Sequence, residues 1–540
     1  MFPDPIQEGL ARGWHVVNAS ALERDIVIEG DVAIVGSGAG GGVTAEALSA
    51  AGLKVVLIEE GPLASTRDFN MREADAYPTL YQESAARKTL DKAITILQGR
   101  CVGGSTTVNW TSSFRTPAAT LAYWRDASGL AELSEAALAP WFESMERRLA
   151  IARWTAPPNA NNRLLRDGAA KLGIATEVIR RNVSGCLDLG YCGLGCPTNA
   201  KQSMLVTTVP AALDRGATLV TLARARRFLR RGDRIAALEA AGLDMRGVNE
   251  TGRRVTVVAR HYVLAAGGIG SPAVLLRSGA PDPYRLVGAR TFLHPTVICA
   301  AEMPEAVNGY AGAPQALYSD HFLEAAPIDG PIGYKLEVPP LHPVLFAITL
   351  QGVGARHAAP MGAFANTHAI IALLRDGFHP ESPGGIVGLR PDGSPVLAYP
   401  ISEFVWNGVR RALLSMAEIQ FAAGARTVYP VHEQAAGYTS WAEAKAAIER
   451  LPFVPLAARV VSAHVMGGCA MAGEARRGVV DHRGRHFQLE NLSIHDGSVF
   501  PTSVGANPQL SIYGLAARNA ALLAQALAGR AAARASTVAA

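Results

Sequence analysis

The segment Asp31–Gly42, Asp-Val-Ala-Ile-Val-Gly-Ser-Gly-Ala-Gly-Gly-Gly, constrains this chain more than any other. A β-branched apolar run, Val32 to Val35, breaks abruptly into glycine, and Ala-rich helical text from Thr44 to Ala51 follows. A second buried strand is expected over Lys54 to Ile58, which completes a βαβ unit. Gly36, Gly38 and Gly41 have the G-x-G-x-x-G spacing. The first glycine makes the tight turn, the second lets backbone approach a pyrophosphate, and the third lets helix and strand pack closely. Glu59 ends the second strand, 23 residues after Gly36, where an acid can bind ribose hydroxyls. The unit therefore reads as a dinucleotide site, and the motif by itself does not separate NAD from FAD.

A chain of 540 residues exceeds one simple core, so two closely packed domains are expected. Apolar residues are 49% and charged ones 18%, which describes a globular protein with a large interior. The net charge of +5 is mild, and the basic run Arg224 to Arg231 reads as a solvated patch, so nucleic acid is not an expected partner. No apolar run reaches the roughly 18–20 residues that cross a bilayer. The first residues lack the pattern of a secretory signal. The expected location is cytoplasmic, and the slightly positive mean hydropathy leaves peripheral membrane association open.

Along the chain, residues 1–30 read as a polar leader. Residues 31–295 and 459–530 read as one discontinuous nucleotide-binding domain, to which strands over Gly216–Leu222 and Arg254–Ala266 return. Helical text runs from Thr120 to Ala150, and a helix over Leu510–Leu527 closes the domain before an Ala-rich tail expected to fray beyond Gly529. From 296 to 458 the composition shifts to Pro, Gly, His and aromatics, read as a substrate domain on an antiparallel sheet. The fold class expected is α/β, a Rossmann-like FAD-binding domain with a discontinuous antiparallel-sheet substrate domain.

Three further segments decide between NAD and FAD: Gln98–Trp110, Ala265–Gly279, and His464 to Pro508 with its Ile494-His-Asp-Gly-Ser498 and Ala506-Asn-Pro508. With them, the chain from Asp31 to Leu527 resembles the glucose-methanol-choline (GMC) oxidoreductases, FAD enzymes that oxidise alcohols. The resemblance implies that Gly103, Gly104 and Ser105 lie along the flavin diphosphate and ring, that Asn109 approaches the isoalloxazine, and that Asp496 and Gly497 hold the ribityl–phosphate region. Some relatives attach FAD through a histidine just before that asparagine. Here the position is Val108, so FAD is expected to be non-covalent.

His464 and Asn507 match the catalytic pair that the resemblance implies. Hydride can leave a carbinol carbon only as the hydroxyl proton leaves. An imidazole can take that proton near neutral pH, and an amide can donate to the developing alkoxide. His294 and His495, also near these motifs, are read as structural. Three of the six cysteines, Cys186, Cys192 and Cys196, lie as C-x5-C-x3-C-P. Two readings stay open. One is an iron–sulfur ligand set, as in cluster-bearing sugar dehydrogenases. The other is a tight loop of free thiols near the flavin, because the following Lys201-Gln-Ser looks like the long-chain alcohol oxidase branch. Zinc lacks an evident fourth ligand.

The expected partners are a small-molecule alcohol, apolar by that likeness, and an electron acceptor, either dioxygen or a quinone or cytochrome. Tyr334, Phe346, Phe364 and Phe404 are apolar candidates of the substrate domain, more often core than lining. The rivals are a flavin-containing lyase of the same fold without net redox chemistry, and an electron-transferring subunit carrying a cluster.

Overall fold

Two eight-stranded sheets organise the chain in a computed structural model that describes residues 2–538, with side chains to residue 528. The first sheet runs His15–Asn18, Thr218–Thr221, Val55–Ile58, Ile26–Val35, Glu250–Leu264, Arg234–Leu243, Ala223–Arg231, with Leu492–Ile494 added beside Glu250–Leu264. Its first five strands and Leu492–Ile494 are parallel, and the last two form antiparallel hairpins. Val32, Ala33 and Ile34 are fully buried at its centre, as an unbroken apolar run requires when both faces are covered. Helix Ala39–Ala50 leaves this strand directly, and the closing helix Gln509–Val538 packs on it. The expectation of a frayed tail falls on side chains outside those described.

The segment read as a leader carries regular structure joined to the first sheet. Asp4 caps helix Pro5–Ala11, His15–Asn18 pairs in parallel with Thr218–Thr221, and strand Ile26–Val35 begins inside the segment. A four-residue edge strand with half-exposed residues carries too short a pattern to be legible locally. The helical text over 120–150 divides into Ala118–Ser128 and Glu135–Arg148, because Gly129 takes a left-handed φ of +70° and ends the first helix.

The second sheet runs Ile94–Ile96, Val460–Ser462, Thr296–Glu302, Thr367–Leu374, Tyr334–Glu337, Leu317–Ser319, Glu177–Val178, with Thr427–Pro430 beside Thr296–Glu302. It is antiparallel except for its first pair. The expected antiparallel sheet is there, but its boundaries are not 296–458. Strands 94–96, 177–178 and 460–462 come from segments assigned to the nucleotide domain, and helix Ala160–Lys171 packs on Glu403–Ala422 of the second layer. Gly168 lets these two helices touch, since a Cβ there would run into the Ile419 carbonyl. Among the described residues, no helix is long and apolar enough to cross a membrane.

Candidate active site

The Gly36 turn puts the start of helix Ala39–Ala50 against open space. Gly38 caps the helix with extended backbone and no side-chain partner, so the first amide hydrogens of the helix are free to meet an anion. Glu59 closes the turn: Oε2 accepts from Ser37 N at 3.0 Å and Ser37 Oγ at 2.6 Å, and Oε1 from Gly61 N at 2.9 Å. Burial raises its carboxyl above the usual range, and those hydrogen bonds pull it back.

From this turn opens a cavity of about 1160 Å³, larger than the roughly 300–1,000 Å³ of a pocket for one small ligand. Of the residues singled out in the sequence, Gly36, Gly38, Glu59, Gly104, Ser105, Asn109, His464, Asp496, Gly497 and Asn507 line it. Gly41 and Gly103 stand behind the wall. A Cβ on Gly41 would meet the Gly36 carbonyl carbon at 2.9 Å, and one on Gly103 would meet Leu205 N at 2.9 Å, so both serve close packing. Gly40, outside the triplet, is as restricted: the His495 carbonyl fills the place of its Cβ.

Asp496 clamps the wall together. Oδ2 accepts from Gly267 N at 2.8 Å and Ser271 Oγ at 2.5 Å, and Oδ1 from Ser498 N at 2.8 Å. Asn109 donates to Gln509 Oε1 at 2.7 Å, and Gln509 Nε2 reaches Ser112 O, Ser113 Oγ and Asn182 Oδ1. Gln509 thus ties the segment after Asn507 to the segment after Asn109, across 400 residues of chain.

His464 leaves the end of strand Val460–Ser462, where Ser462 Oγ accepts from its backbone N and donates to the Leu293 carbonyl. Its Nδ1 lies 3.2 Å from Nδ1 of His294, which leaves Nε2 for the cavity. Behind it, Gly505 N donates to His294 Nε2 at 3.0 Å. With Nε2 accepting, neutral His294 carries its proton on Nδ1 and donates to His464, whose own proton is then on Nε2. The other tautomer, with a lone pair toward the cavity, turns His294 Nε2–H against Gly505 N–H, a lost buried hydrogen bond of about 1–3 kcal/mol. Asp376 holds the left-handed His294, φ +44°, by accepting from the backbone N of Leu293 and His294. Burial, then the nearby Lys335 ammonium, pushes His464 down to about 4, and burial holds His294 well below the usual histidine range. His294, read as structural, touches the catalytic candidate directly. His495 stays remote: its Nδ1 meets Thr44 Oγ1 at 3.0 Å, and it does not line the cavity.

Asn507 donates through Nδ2 to Glu337 Oε2 at 3.3 Å, and Gln315 Nε2 donates to the same oxygen at 2.7 Å. Glu337 is fully buried, and burial raises it to about 7. Lys335, two residues earlier, is buried beside Asp320 at 3.0 Å with its ammonium over the rings of Phe114 and Tyr318. The sequence reading missed Glu337, Gln315 and Lys335. The available signal was the pattern Tyr-Lys-Leu-Glu between turns, which places two opposite charges on one face of a strand.

One stretch of the wall is apolar: Leu341, Leu345 and Phe346 from one side, Ile298, Ile371, Leu373 and Val461 from the second sheet. Of the four aromatic candidates only Phe346 lines the cavity. Tyr334 stacks on Phe322 and Phe404 on His379, while Phe364 packs behind Phe346.

The cysteine loop offers no ligand set for a cluster. Cys186 Sγ accepts from Asp188 N at 3.4 Å, Cys192 Sγ receives Arg181 Nη2 at 3.6 Å, and Cys196 Sγ meets Thr198 Oγ1 at 3.5 Å. Among the described residues, no group of three or more His, Cys, Asp or Glu side chains is placed to hold a metal ion. The loop instead sends in Lys201, whose buried ammonium donates to the carbonyls of Thr107 at 2.6 Å, Cys192 at 2.7 Å and Asn109 at 2.9 Å. It props the turn that carries Asn109 against the cavity.

Comparison with known proteins agrees with this architecture. Residues 77–296 match the N-terminal and residues 380–516 the C-terminal domain described as GMC oxidoreductase. An uncharacterized GMC-type oxidoreductase of Mycobacterium tuberculosis is 30% identical over 91% of this chain and 75% of that protein. A long-chain-alcohol oxidase of Arabidopsis thaliana is 29% identical over 89% of this chain and 65% of that protein. Among solved structures, pyridoxine 4-oxidase from Mesorbium loti superposes with a TM-score of 0.66 at 19% identity, covering 91% of this chain and 98% of that one.

Proposed function

Because the chain belongs to the GMC oxidoreductases, whose members are FAD oxidoreductases, we propose that it oxidises the CH–OH group of an apolar alcohol to an aldehyde or ketone. One observation carries the reading: the glycine turn with Glu59 and the pair His464 and Asn507 line a single cavity. The residues fit FAD. The uncapped helix start and the close approach of Gly38 to Gly104, whose Cα lies 3.8 Å from a Cβ built on Gly38, suit a diphosphate, and Glu59 suits ribose hydroxyls. Gly104, Ser105 and Asn109 would flank the diphosphate and ring, with Gly103 packed behind them, and Asp496 and Gly497 the ribityl–phosphate region. With Val108 before Asn109, attachment is non-covalent. When bound, FAD supplies the two-electron acceptor for hydride, and the electrons pass on to dioxygen, a quinone or a cytochrome.

The side chains do the rest. His464 receives the hydroxyl proton at Nε2 in the tautomer protonated on Nδ1, reached when the His294 Nδ1 proton passes to His464 Nδ1, the His464 Nε2 proton leaves to solvent and His294 Nε2 takes one from solvent. Asn507 donates to the oxygen as negative charge grows on it. The apolar wall binds the alkyl or aromatic body and excludes water; the Arabidopsis relative is a long-chain-alcohol oxidase. Each buried methylene adds about 0.8 kcal/mol, so kcat/KM rises about fourfold per added carbon until the wall is filled.

The test is an anaerobic absorption spectrum of the purified protein with hexanol, longer alkanols, aromatic alcohols and sugar alcohols. Bleaching of the flavin by alkanols or aromatic alcohols, and not by sugar alcohols, is expected. A flavin that stays oxidised with all of them refutes the apolar-alcohol reading and leaves a substrate outside the panel or the lyase, with the lyase first.

A further inference from the structure

Two side chains in contact, Asn507 and Glu337, each hold a buried acceptor without a donor. Asn507 Oδ1 and Glu337 Oε1 are both buried and lack a hydrogen-bond partner among the described residues, while Asn507 Nδ2 and Gln315 Nε2 both point at Glu337 Oε2. An unpaired buried acceptor costs about 1–3 kcal/mol, so the arrangement carries two such penalties in neighbouring groups. Among the described residues no cation forms an ion pair with this carboxylate: the ammonium of Lys335 is taken by Asp320 and by two ring faces. A proton on Glu337 Oε2, with the amide turned end for end, gives Asn507 Oδ1 a donor and frees Nδ2. The two ends of an amide are nearly the same shape, so Asn507 can be turned end for end without disturbing its neighbours.

We propose that Glu337 is a positioning residue that works protonated: its O–H donates to Asn507 Oδ1, which holds the amide with its NH2 toward the substrate oxygen, and ionisation of Glu337 turns the amide back. The inference rests on the reading that Asn507 faces that oxygen. The proton comes from and returns to solvent, and no bond other than O–H and its hydrogen bonds changes. The groups facing Glu337 include one cation, itself paired elsewhere. Lys335 lies on its own strand, Tyr318 is its partner on the next strand with Asp320 just beyond, Ile371 is its partner on the other side, and Gln315 and Asn507 supply the polar contacts. Burial raises this carboxyl to about 7, against the opposing pull of Lys335, so both forms are within reach near neutral pH.

The experiment has two arms on the holoenzyme. The first is a pH-difference infrared spectrum of wild type and Glu337→Gln. A carboxylic-acid C=O band should appear as the pH falls from 9 to 6 (chosen about two units above and one below the value near 7), and it should be missing in the variant. The second is anaerobic flavin reduction by 1-octanol. With a carboxyl at about 7, wild type should react about tenfold more slowly at pH 8 than at pH 6. Glu337→Gln, whose NH2 donates to Asn507 Oδ1 at every pH, should stay near the low-pH rate throughout. An alkaline fall that persists in Glu337→Gln, or the absence of a Glu337-dependent band, overturns the proposal. If 1-octanol bleaches neither protein, the alcohol reading fails, and the infrared arm still decides the state of Glu337.

Discussion

Gly40→Ala tests whether the nucleotide turn is built by its own sequence or by the far end of the chain. The added Cβ would overlap the His495 carbonyl oxygen and lie 2.6 Å from its carbon and 3.2 Å from Asp496 Cα. Ordinary contact begins near 3.4 Å, so the carbonyl carbon alone must retreat about 0.8 Å. Neither wall yields easily. Gly40 is in the first turn of its helix. The His495 segment is pinned by His495 N to Leu264 O at 2.8 Å and by the three hydrogen bonds of Asp496. Overpacking against backbone on both sides costs about 3 kcal/mol, the top of the usual range. Alanine's better helix propensity returns about 1 kcal/mol, which leaves a net loss of about 2 kcal/mol. Gly38→Ala is the counterpart: φ there is −68° and the nearest atom to a new Cβ is Gly104 Cα at 3.8 Å, so nothing clashes. That variant should keep the thermal stability of the flavin-free protein and lose FAD, because the methyl stands where the diphosphate approaches. The assay is thermal denaturation with and without FAD, together with the flavin-to-protein ratio after gel filtration. A Gly40→Ala protein that melts with wild type refutes the reasoning, as does a Gly38→Ala protein that loses as much flavin-free stability as Gly40→Ala.

Other outcomes follow from the site. His464→Ala should keep FAD and slow its reduction by alcohol about a hundredfold or more, the scale of a lost general base, as read by anaerobic stopped flow. Because burial lowers His464 to about 4, its neutral form persists in mild acid. The rate at pH 5 should be within about twofold of that at pH 6, whereas a histidine at 6.5 would leave only about 3% neutral; a steep fall between pH 6 and 5 would show that His464 titrates normally. Lys201→Met removes a donor from three buried carbonyls and should cost about 3 kcal/mol or more, seen as a lower melting temperature and weaker flavin retention. Cys192→Ser should leave the metal content and reduction rate of the purified protein unchanged. Loss of iron in that variant would restore the cluster reading.

Local text carried much of this protein. Val32 to Ile58 reads as strand, turn, helix and strand because each step obeys its own short-range rule: apolar run, glycine break, alanine-rich helix, apolar run. His464 and Asn507 were legible because they sit inside motifs with fixed order. Residues 15–18, 94–96 and 177–178 were not, since two to four residues at a sheet edge carry no measurable period and are strands only because a distant strand offers them hydrogen bonds. The same holds for the site. By itself the sequence determined that a glycine turn, an acid, an imidazole and an amide would be present, since these depend on residue identity and spacing. Tertiary structure alone decided that His294 backs His464, that Glu337 and Gln315 back Asn507, that Gly40 must have no side chain, and that the Cys192 carbonyl helps hold the Lys201 prop. Each of those depends on atoms brought within about 3–4 Å by segments up to 455 residues apart, and burial, not residue type, sets their protonation.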